Sequence, residues 1–370
     1  MTQGLTTPQF FIDTDNLKPA LALVARAIPN RATHPVLACV KVDVTDTVRF
    51  TAYNLTTGIE VTAEADEIIT QGSFVVAYWV LSEIVTKCPS GLLKFTLDDN
   101  GNLNLVTSTG VYDIRTANLE DYPELPTVSG DYQSYRLDSI ELKESLNAVL
   151  FSASTDDLKQ ILTGVNLQNQ GDFLNFATTD GHRLAKASYE DYQTINLTIP
   201  GELAKNIIKV CQPEEEIKLN VTSSLIEVEA DSVRIITRKL EGDYPNYGQL
   251  IPDKFDSLVT VNRKDLVQSL DRISVLPKNV IKFEFTEAFL KLSVESFDIG
   301  SGTETLTTTL TGNVITVAFN PIYVKQALMH LNEHDEVQFK LGTSTTPVII
   351  TPVASDSNVL YMVMPCRIKD

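Results

Sequence analysis

Few segments of this chain carry residue types that could do covalent chemistry, and each set is incomplete. His330-Leu331-Asn332-Glu333-His334 has H-x-x-E-H spacing. Such a pair of imidazoles holds zinc only when both share one face of a continuing helix and a third ligand arrives from elsewhere. Here the apolar helical pattern stops at Leu331, and Glu336-Val337-Gln338-Phe339-Lys340-Leu341 already alternates as a strand, so a solvated helix end is expected. Asp180 and His182 flank Gly181, with Arg183 next in line, an acid/base pair that lacks a nucleophile and a third partner. Cys39, Cys88, Cys211 and Cys366 are scattered without a C-x-x-C pair, which points to reduced, buried or half-buried thiols rather than a zinc site or a disulfide framework. No G-x-x-x-x-G-K-[ST], G-x-G-x-x-G or G-x-S-x-G segment is present. A metal- or His-dependent hydrolase using His182 or the His330/His334 pair stands as the alternative reading; the preferred one has no catalytic residue, no metal and no cofactor.

The elements that would position these residues repeat. Leu17/Leu21/Val24, Leu142/Leu146/Val149 and Leu266/Leu270/Ile273 are three copies of one helix-entry pattern, each about a third of the chain from the last. A second short helix pattern follows in each copy, at Val80/Ile84, Leu203/Ile207 and Val324/Leu328. Leu119-Glu120-Asp121-Tyr122-Pro123 is echoed by Leu240-Glu241-Gly242-Asp243-Tyr244-Pro245 with one residue inserted. Between the helices, segments such as Val40–Val44, Arg49–Tyr53, Lys218–Val221, Lys282–Phe285 and Val348–Ile350 read as strands, separated by turns at Asp98–Asn102 and Asn169–Asp172. The implied design is α+β: three domains, each of two helices laid on antiparallel sheet. Tyr122-Pro123-Glu124-Leu125-Pro126 and Ile251-Pro252-Asp253-Lys254 read as linkers, giving domains over 1–126, 127–252 and 253–370, each large enough to bury a core of its own.

The net charge of −18 and pI near 4.6, taken alone, argue against affinity for DNA or anionic membranes. No apolar run approaches the ~20 residues that a membrane-spanning helix needs, and Met1-Thr2-Gln3-Gly4 does not begin a signal peptide, so a cytoplasmic location is expected.

Thr178-Thr179-Asp180-Gly181-His182-Arg183-Leu184-Ala185 carries a family resemblance. Asp243-Tyr244-Pro245-Asn246-Tyr247, Leu250-Ile251-Pro252, Phe319-Asn320-Pro321-x-Tyr323 and Val363-Met364-Pro365-Cys366-Arg367-Ile368 carry it further, in that order along the chain. Together they resemble the bacterial sliding clamp family, the beta subunit of DNA polymerase III. The resemblance implies a head-to-tail dimeric ring of six similar domains, with helices lining a hole around duplex DNA and sheets outside. The ring would act as a processivity factor in DNA replication, with the replicative polymerase, the clamp loader and repair polymerases docking through short Leu/Phe peptides.

Enclosure also removes the conflict with the acidic charge, because a ring retains DNA without neutralising many phosphates. Carried over residue by residue, the partner groove comprises Leu162, Thr179, Gly181, His182, Arg183, Leu184, Pro245, Leu250, Asn320, Tyr323, Pro347, Val348, Met362, Val363, Met364, Pro365, Cys366 and Arg367. Leu184, Leu250, Val363 and Met364 would make its apolar floor, while His182, Arg183, Asn320 and Arg367 would offer hydrogen bonds. The repeat helices carry cations that would face DNA, Lys18, Arg26, Lys87, Lys143, Lys205, Lys209, Arg263, Lys264, Arg272 and Lys325, and the resemblance adds Arg31. Tyr112 and Ile114 of the Val111–Arg115 strand would meet Val275 and Leu276 across the dimer interface. Gln249 stands where many relatives have Arg, Cys366 where they have Met, and Tyr78-Trp79 where basic residues are common.

Overall fold

Leu17, Leu21 and Val24 form the buried stripe of helix α1 (Thr14–Val24), and the two equivalent triads do the same on α3 (Ser139–Val149) and α5 (Arg263–Ile273), with no member more than 4% exposed. The second helix of each repeat is α2 (Tyr78–Lys87), α4 (Gly201–Val210) or α6 (Pro321–Met329). Leu203/Ile207 and Val324/Leu328 are buried as the spacing predicts. In α2 the buried pair is Leu81/Val85 instead of Val80/Ile84. Four consecutive apolar residues, Tyr78 to Leu81, leave the helical phase open, and it is the tertiary fit, with the Tyr78 hydroxyl donating to the Leu21 carbonyl (3.2 Å), that selects one. Short polar side chains start the helices: Asp13 accepts from the Asp15 N–H (2.8 Å), Asn262 from Asp265 (3.1 Å) and Asn320 from Ile322 (3.0 Å).

The computed structural model describes residues 7–210, 212, 216–276, 280–296, 298–353 and 358–367, so Cys211 and Ile368 lie outside the described residues. The chain divides into two compact units, Met1–Ile140 with Lys205–Lys239 and Glu141–Ala204 with Leu240–Asp370. The division cuts through the middle repeat because its strands are shared between two sheets.

The first unit holds an antiparallel sheet running Gln133–Asp138, Glu216–Val221, Leu225–Ala230, Val233–Arg238, Thr57–Ala63, Val48–Tyr53, Cys39–Val44, Gly72–Ala77, Val111–Ala117, Asn102–Val106, Leu92–Leu97, Gln9–Asp13 and Glu67–Thr70. In the second unit the order is Asn196–Pro200, Gly164–Gln170, Phe173–Thr179, Arg183–Glu190, Val359–Val363, Val348–Pro352, Glu336–Leu341, Ser257–Asn262, Gly300–Gly312, Phe289–Ser296, Ile281–Phe285 and Ile315–Phe319.

Every repeat reads strand, helix, four strands, helix, three strands, with Glu67–Thr70 an addition in the first. The repeats join edge to edge by one rule: the last strand of a repeat pairs antiparallel with the fourth strand of the repeat before it. Val233–Arg238 thus lies on Thr57–Ala63 (Val233 opposite Val61, Thr237 opposite Thr57), and Val359–Val363 on Arg183–Glu190 (Met362 opposite Leu184). That leaves the last strand of the first repeat and the fourth strand of the third. Among the described residues, 111–115 pair only with Asn102–Val106 and 300–307 only with Phe289–Ser296, so each keeps one edge open.

Arg234 reinforces the first joint. Its Nε donates to Glu227 (2.7 Å) on Leu225–Ala230 and its Nη1 to Glu60 (2.6 Å) across the joint on Thr57–Ala63, so one guanidinium ties together the strands on either side of its own through carboxylates whose side chains are 8% and 18% exposed. Hydrogen bonding to both holds the guanidinium pKa above its ordinary value, although burial works in the opposite direction. Arg234→Ala strands both carboxylates. The expected loss is about 2–3 kcal/mol, below the full penalty for breaking a buried pair because the site is partly hydrated. Urea unfolding followed by circular dichroism should show an earlier midpoint, and an unchanged midpoint would mean the network contributes nothing.

Candidate functional site

The turn Asp180–Arg183 sits where the second joint begins. Asp180 Oδ1 accepts from the N–H groups of His182 (2.9 Å) and Arg183 (3.1 Å), an Asx turn that only a left-handed residue between them can complete, and Gly181 supplies it at φ +92°. Thr179 Oγ1 closes the base, accepting from the Gly181 N–H (3.1 Å) and donating to the Arg183 carbonyl (2.6 Å). The Met364 N–H then donates to the His182 carbonyl (2.9 Å), which brings the terminal Met364-Pro365-Cys366-Arg367 segment against this turn. Cys366 is fixed by its own N–H, which donates to the Ala318 carbonyl (2.7 Å).

Arg183 is engaged inside the protein through all three of its side-chain nitrogens. Nε donates to Asp180 (2.9 Å), Nη1 to the Gln326 side chain and Nη2 to the Phe151 carbonyl (2.9 Å), and the guanidinium lies 4.7 Å from the Tyr323 ring centre and 5.5 Å from that of Phe151. The expected donor to a ligand is therefore a brace: it fixes Tyr323 from one side. His182, exposed, stacks loosely near the same ring at 6.4 Å. Partial burial raises the Tyr323 hydroxyl above the ordinary phenol range, with Asp180 and Cys366 adding to the shift and Arg183 opposing it, so the ring presents a neutral O–H. Asn320 is also committed locally, as the cap of α6.

The predicted apolar floor separates into two layers. Leu184, Val348, Met362 and Val363 are at most 3% exposed, and Leu184 and Met362 pack with Ala177, Tyr247 and Ile349 as interior. Leu250 (54% exposed) and Met364 (36%) face solvent, while Leu162, Pro347 and Pro365 are half-buried and Pro245 and Arg367 are exposed. The surface is thus a rim of exposed apolar and polar groups over a packed bed, suited to an extended segment carrying apolar side chains. It has no nucleophile held against a base. The His330/His334 pair falls away as well, because α6 ends at Met329, His330 Nδ1 bonds the Gln326 carbonyl (2.9 Å) and the His330 ring stacks on Phe151 at 4.1 Å.

Family models of the DNA polymerase III beta subunit match the chain three times, the N-terminal domain over residues 8–126, the central domain over 136–246 and the C-terminal domain over 248–367. The chain belongs to this family. It is 34% identical to the beta sliding clamp of Synechocystis sp. over 385 residues, covering 95% of this chain and 97% of that one. The Synechococcus elongatus beta sliding clamp is likewise 34% identical, over 372 residues, 96% of this chain and 98% of its own. The solved Thermotoga maritima beta subunit matches with a TM-score of 0.90 at 26% identity, over 98% of this chain and all of that one. A Bartonella birtlesii sliding clamp bound to griselimycin gives 0.91 at 25%, with the same coverage.

The chain is accordingly a beta sliding clamp, a ring-forming processivity factor of DNA replication that encircles DNA and tethers polymerase partners through a peptide-binding groove, without catalysis of its own. None of these relatives supports the hydrolase alternative.

Within this clamp many of the predicted DNA-facing cations are already satisfied. Lys18 donates to the Cys88 carbonyl (2.8 Å), Arg26 to Asn206, Lys87 pairs with Glu83 (2.6 Å), Lys264 with Asp335 (2.9 Å), Arg272 with Glu304 (2.6 Å) and Lys325 with Asp271. The hydrogen bond from Arg272 holds the Glu304 carboxyl below its ordinary range. Arg263 does not belong with them: it is 8% exposed and its guanidinium donates to the carbonyls of His334 (2.8 Å), Leu328 and Asn332 (both 3.4 Å), closing the turns after α6. Arg31, Lys205 and Lys209 are exposed, and Lys143 is half-buried.

The first joint carries the same turn. Asn54 takes the place of Asp180, accepting from Thr56 (3.0 Å) and Thr57 (2.8 Å), and Leu55 takes the left-handed position at φ +72°. Gly58, opposite Ile236, corresponds to Leu184, opposite Met362, and the space its missing Cβ leaves is filled by Leu125 of the chain's own linker, 1.9 Å from where that Cβ would stand. Sequence reasoning missed the Arg183–Gln326–Phe151 brace, and only the juxtaposition of Arg183 with Tyr323 in the family motifs hinted at it.

Replacing Arg183 with Lys keeps one charge but cannot serve three partners. Binding of a Gln-x-x-Leu-Phe peptide, measured by fluorescence anisotropy, should weaken by about 5–10-fold, roughly 1 kcal/mol, with the far-UV spectrum unchanged. Unaltered affinity would remove the brace from the account.

Proposed function

We propose that the rim built by Gly181, His182, Tyr323, Leu250, Met364 and Arg367 is where this clamp receives the Leu/Phe peptides of its partners, and that the ring closes between chains through 111–115 of one and 300–307 of the other. The observation that carries the closure is the pairing rule. Two of the three last-strand/fourth-strand matches are made within the chain, and the third pair of edges is left over. An open edge invites pairing, and a head-to-tail contact made twice closes a two-chain ring.

The flanking side chains fit this reading. Val111 (61%), Tyr112 (41%) and Val275 (81%) are exposed, and Leu276 lies against Gly302, 2.8 Å from where a Cβ there would stand. Ile114, 7% exposed, is turned into its own domain, so its contribution to the edge is its backbone.

Exposed cations such as Arg31 and Lys209 would touch DNA transiently, while those held in ion pairs, Lys87, Lys264, Arg272 and Lys325, add little phosphate affinity. Retention then rests on enclosure, in keeping with the charge of −18. The three domains divide at 126 and 252, within the linkers. A replication clamp of this kind works in the cytoplasm; no helix among the described residues is long and apolar enough to cross a membrane.

Clamp loaded on closed circular DNA should survive a high-salt wash and be lost once the circle is cut, since screening weakens phosphate contacts but leaves topology intact. Leu276→Asp, which places a carboxylate in the apolar closure, should be folded, monomeric and retained on neither form. Equal retention of the wild-type clamp on circular and linear DNA would contradict the enclosing ring.

A further inference from the structure

The internal joints fix a register as well as a partner edge, because equivalent residues can be counted along the backbone ladders of all three repeats. Toward the last strand, the first repeat pairs Phe10 with Phe95, Phe95 with Leu105 and Leu105 with Tyr112. The second runs Tyr135, Leu219, Val228, Ile235, and the third Val259, Phe339, Ile350, Tyr361. Each row starts three residues before the helix cap Asp13, Asp138 or Asn262, so Tyr112, Ile235 and Tyr361 are one position of the repeat.

The fourth strands match in the same way. Rows that start four residues before α2, α4 and α6 run Phe74, Val42, Phe50, Val61, then Leu197, Leu167, Phe176, Ala187, and then Val317, Phe283, Leu292, Glu304. Two residues back along each fourth strand stand Ile59, Ala185 and Gly302. Ile235 lies opposite Ile59 at the first joint, and Tyr361 opposite Ala185 at the second.

We propose that two copies of the chain close in this shared register, with Tyr112 of one opposite Gly302 of the other. The inference rests on closure through 111–115 and 300–307. The second joint shows the packing that results: Tyr361 is 1% exposed, and its ring meets that of Phe151 edge-on at 5.2 Å. Phe151 is the second residue after α3, and Val275 the second after α5. Tyr112 (41% exposed) and Val275 (81%) are thus the open halves of a contact that the second joint already makes. Gly302 leaves the strand surface free for the ring, and Leu276 stands beside it, 2.8 Å from where a Cβ would be. Closing sets the Tyr112 ring on Val275 and Leu276 and takes all three from water. Alignment on the Leu119 and Leu240 motifs would instead put Ile114 opposite Gly302, two residues away on the same faces, but Ile114 is 7% exposed and already spent inside its own domain.

Cysteine pairs read the register, since opposed residues of an antiparallel pair lie about 4.5–5.5 Å apart between Cα atoms, within disulfide reach, and residues two places off do not. Val111→Cys is combined in the full-length protein with Ser301→Cys, Thr303→Cys or Thr305→Cys, all at exposed positions. Each is oxidised with copper phenanthroline beside the wild-type protein, which controls for native thiols, and run on a non-reducing gel. Thr303→Cys should be the partner that yields the covalent dimer. Cross-linking through Ser301→Cys or Thr305→Cys instead overturns the register and leaves the closure standing. If no pair cross-links while light scattering gives the mass of two chains, the closure lies elsewhere and both readings fall. Tyr112→Ala should raise the dimer dissociation constant at least about tenfold and Tyr112→Phe less than about threefold, because the ring and not the hydroxyl makes the contact. Dimerisation of Tyr112→Ala at the wild-type constant would overturn the packing.

Discussion

Backbone hydrogen bonding at strand edges governs this molecule. An edge strand leaves a row of N–H and C=O groups to be satisfied by water or by another strand. The repeat resolves this by giving the last strand of each domain to the fourth strand of the domain before it, so the domains of one chain join by continuing sheets rather than by docking of closed surfaces. With three domains in line the rule can be met twice within the chain. The remaining half-strands, 111–115 and 300–307, each keep an open edge, and these are the edges we propose a second copy covers. On that proposal dimerisation is the third instance of an internal contact, and the ring is its closure.

The proposed partner site grows out of the same joint. Where Val359–Val363 lies on Arg183–Glu190, the turn feeding the fourth strand is brought against the chain's terminal segment. Arg183 donates to Asp180, Gln326 and Phe151, and its guanidinium lies against the Tyr323 ring. The first joint repeats the turn with Asn54 and Leu55, and there Leu125 of the linker takes the space that the buried Leu184 side chain takes at the second.

Much of this was legible in the sequence, for physical reasons that also mark its limits. The triads Leu17/Leu21/Val24, Leu142/Leu146/Val149 and Leu266/Leu270/Ile273 could be read because helix periodicity is local and their buried faces are narrow. Tyr78 to Leu81 could not be phased, since an unbroken apolar run fits two adjacent registers equally well. Edge pairing was invisible because partners such as Val61 and Val233 are far apart in sequence and nothing in either strand names the other. Among the site residues, motif resemblance found positions without their roles. Arg183 and Asn320 look like ligand donors until their partners are seen, Leu184 and Val363 look like groove floor until their burial is seen, and Arg263 counts as a surface cation until its carbonyl cage is found.

Amide hydrogen exchange along the two open edges tests the central claim most directly. At a concentration where light scattering gives the mass of two chains, the outward N–H groups of 111–115 and 300–307 should be protected, and they should exchange rapidly once dilution gives single chains. Rapid exchange at both edges in a protein that is demonstrably dimeric would place the closure elsewhere and contradict the account.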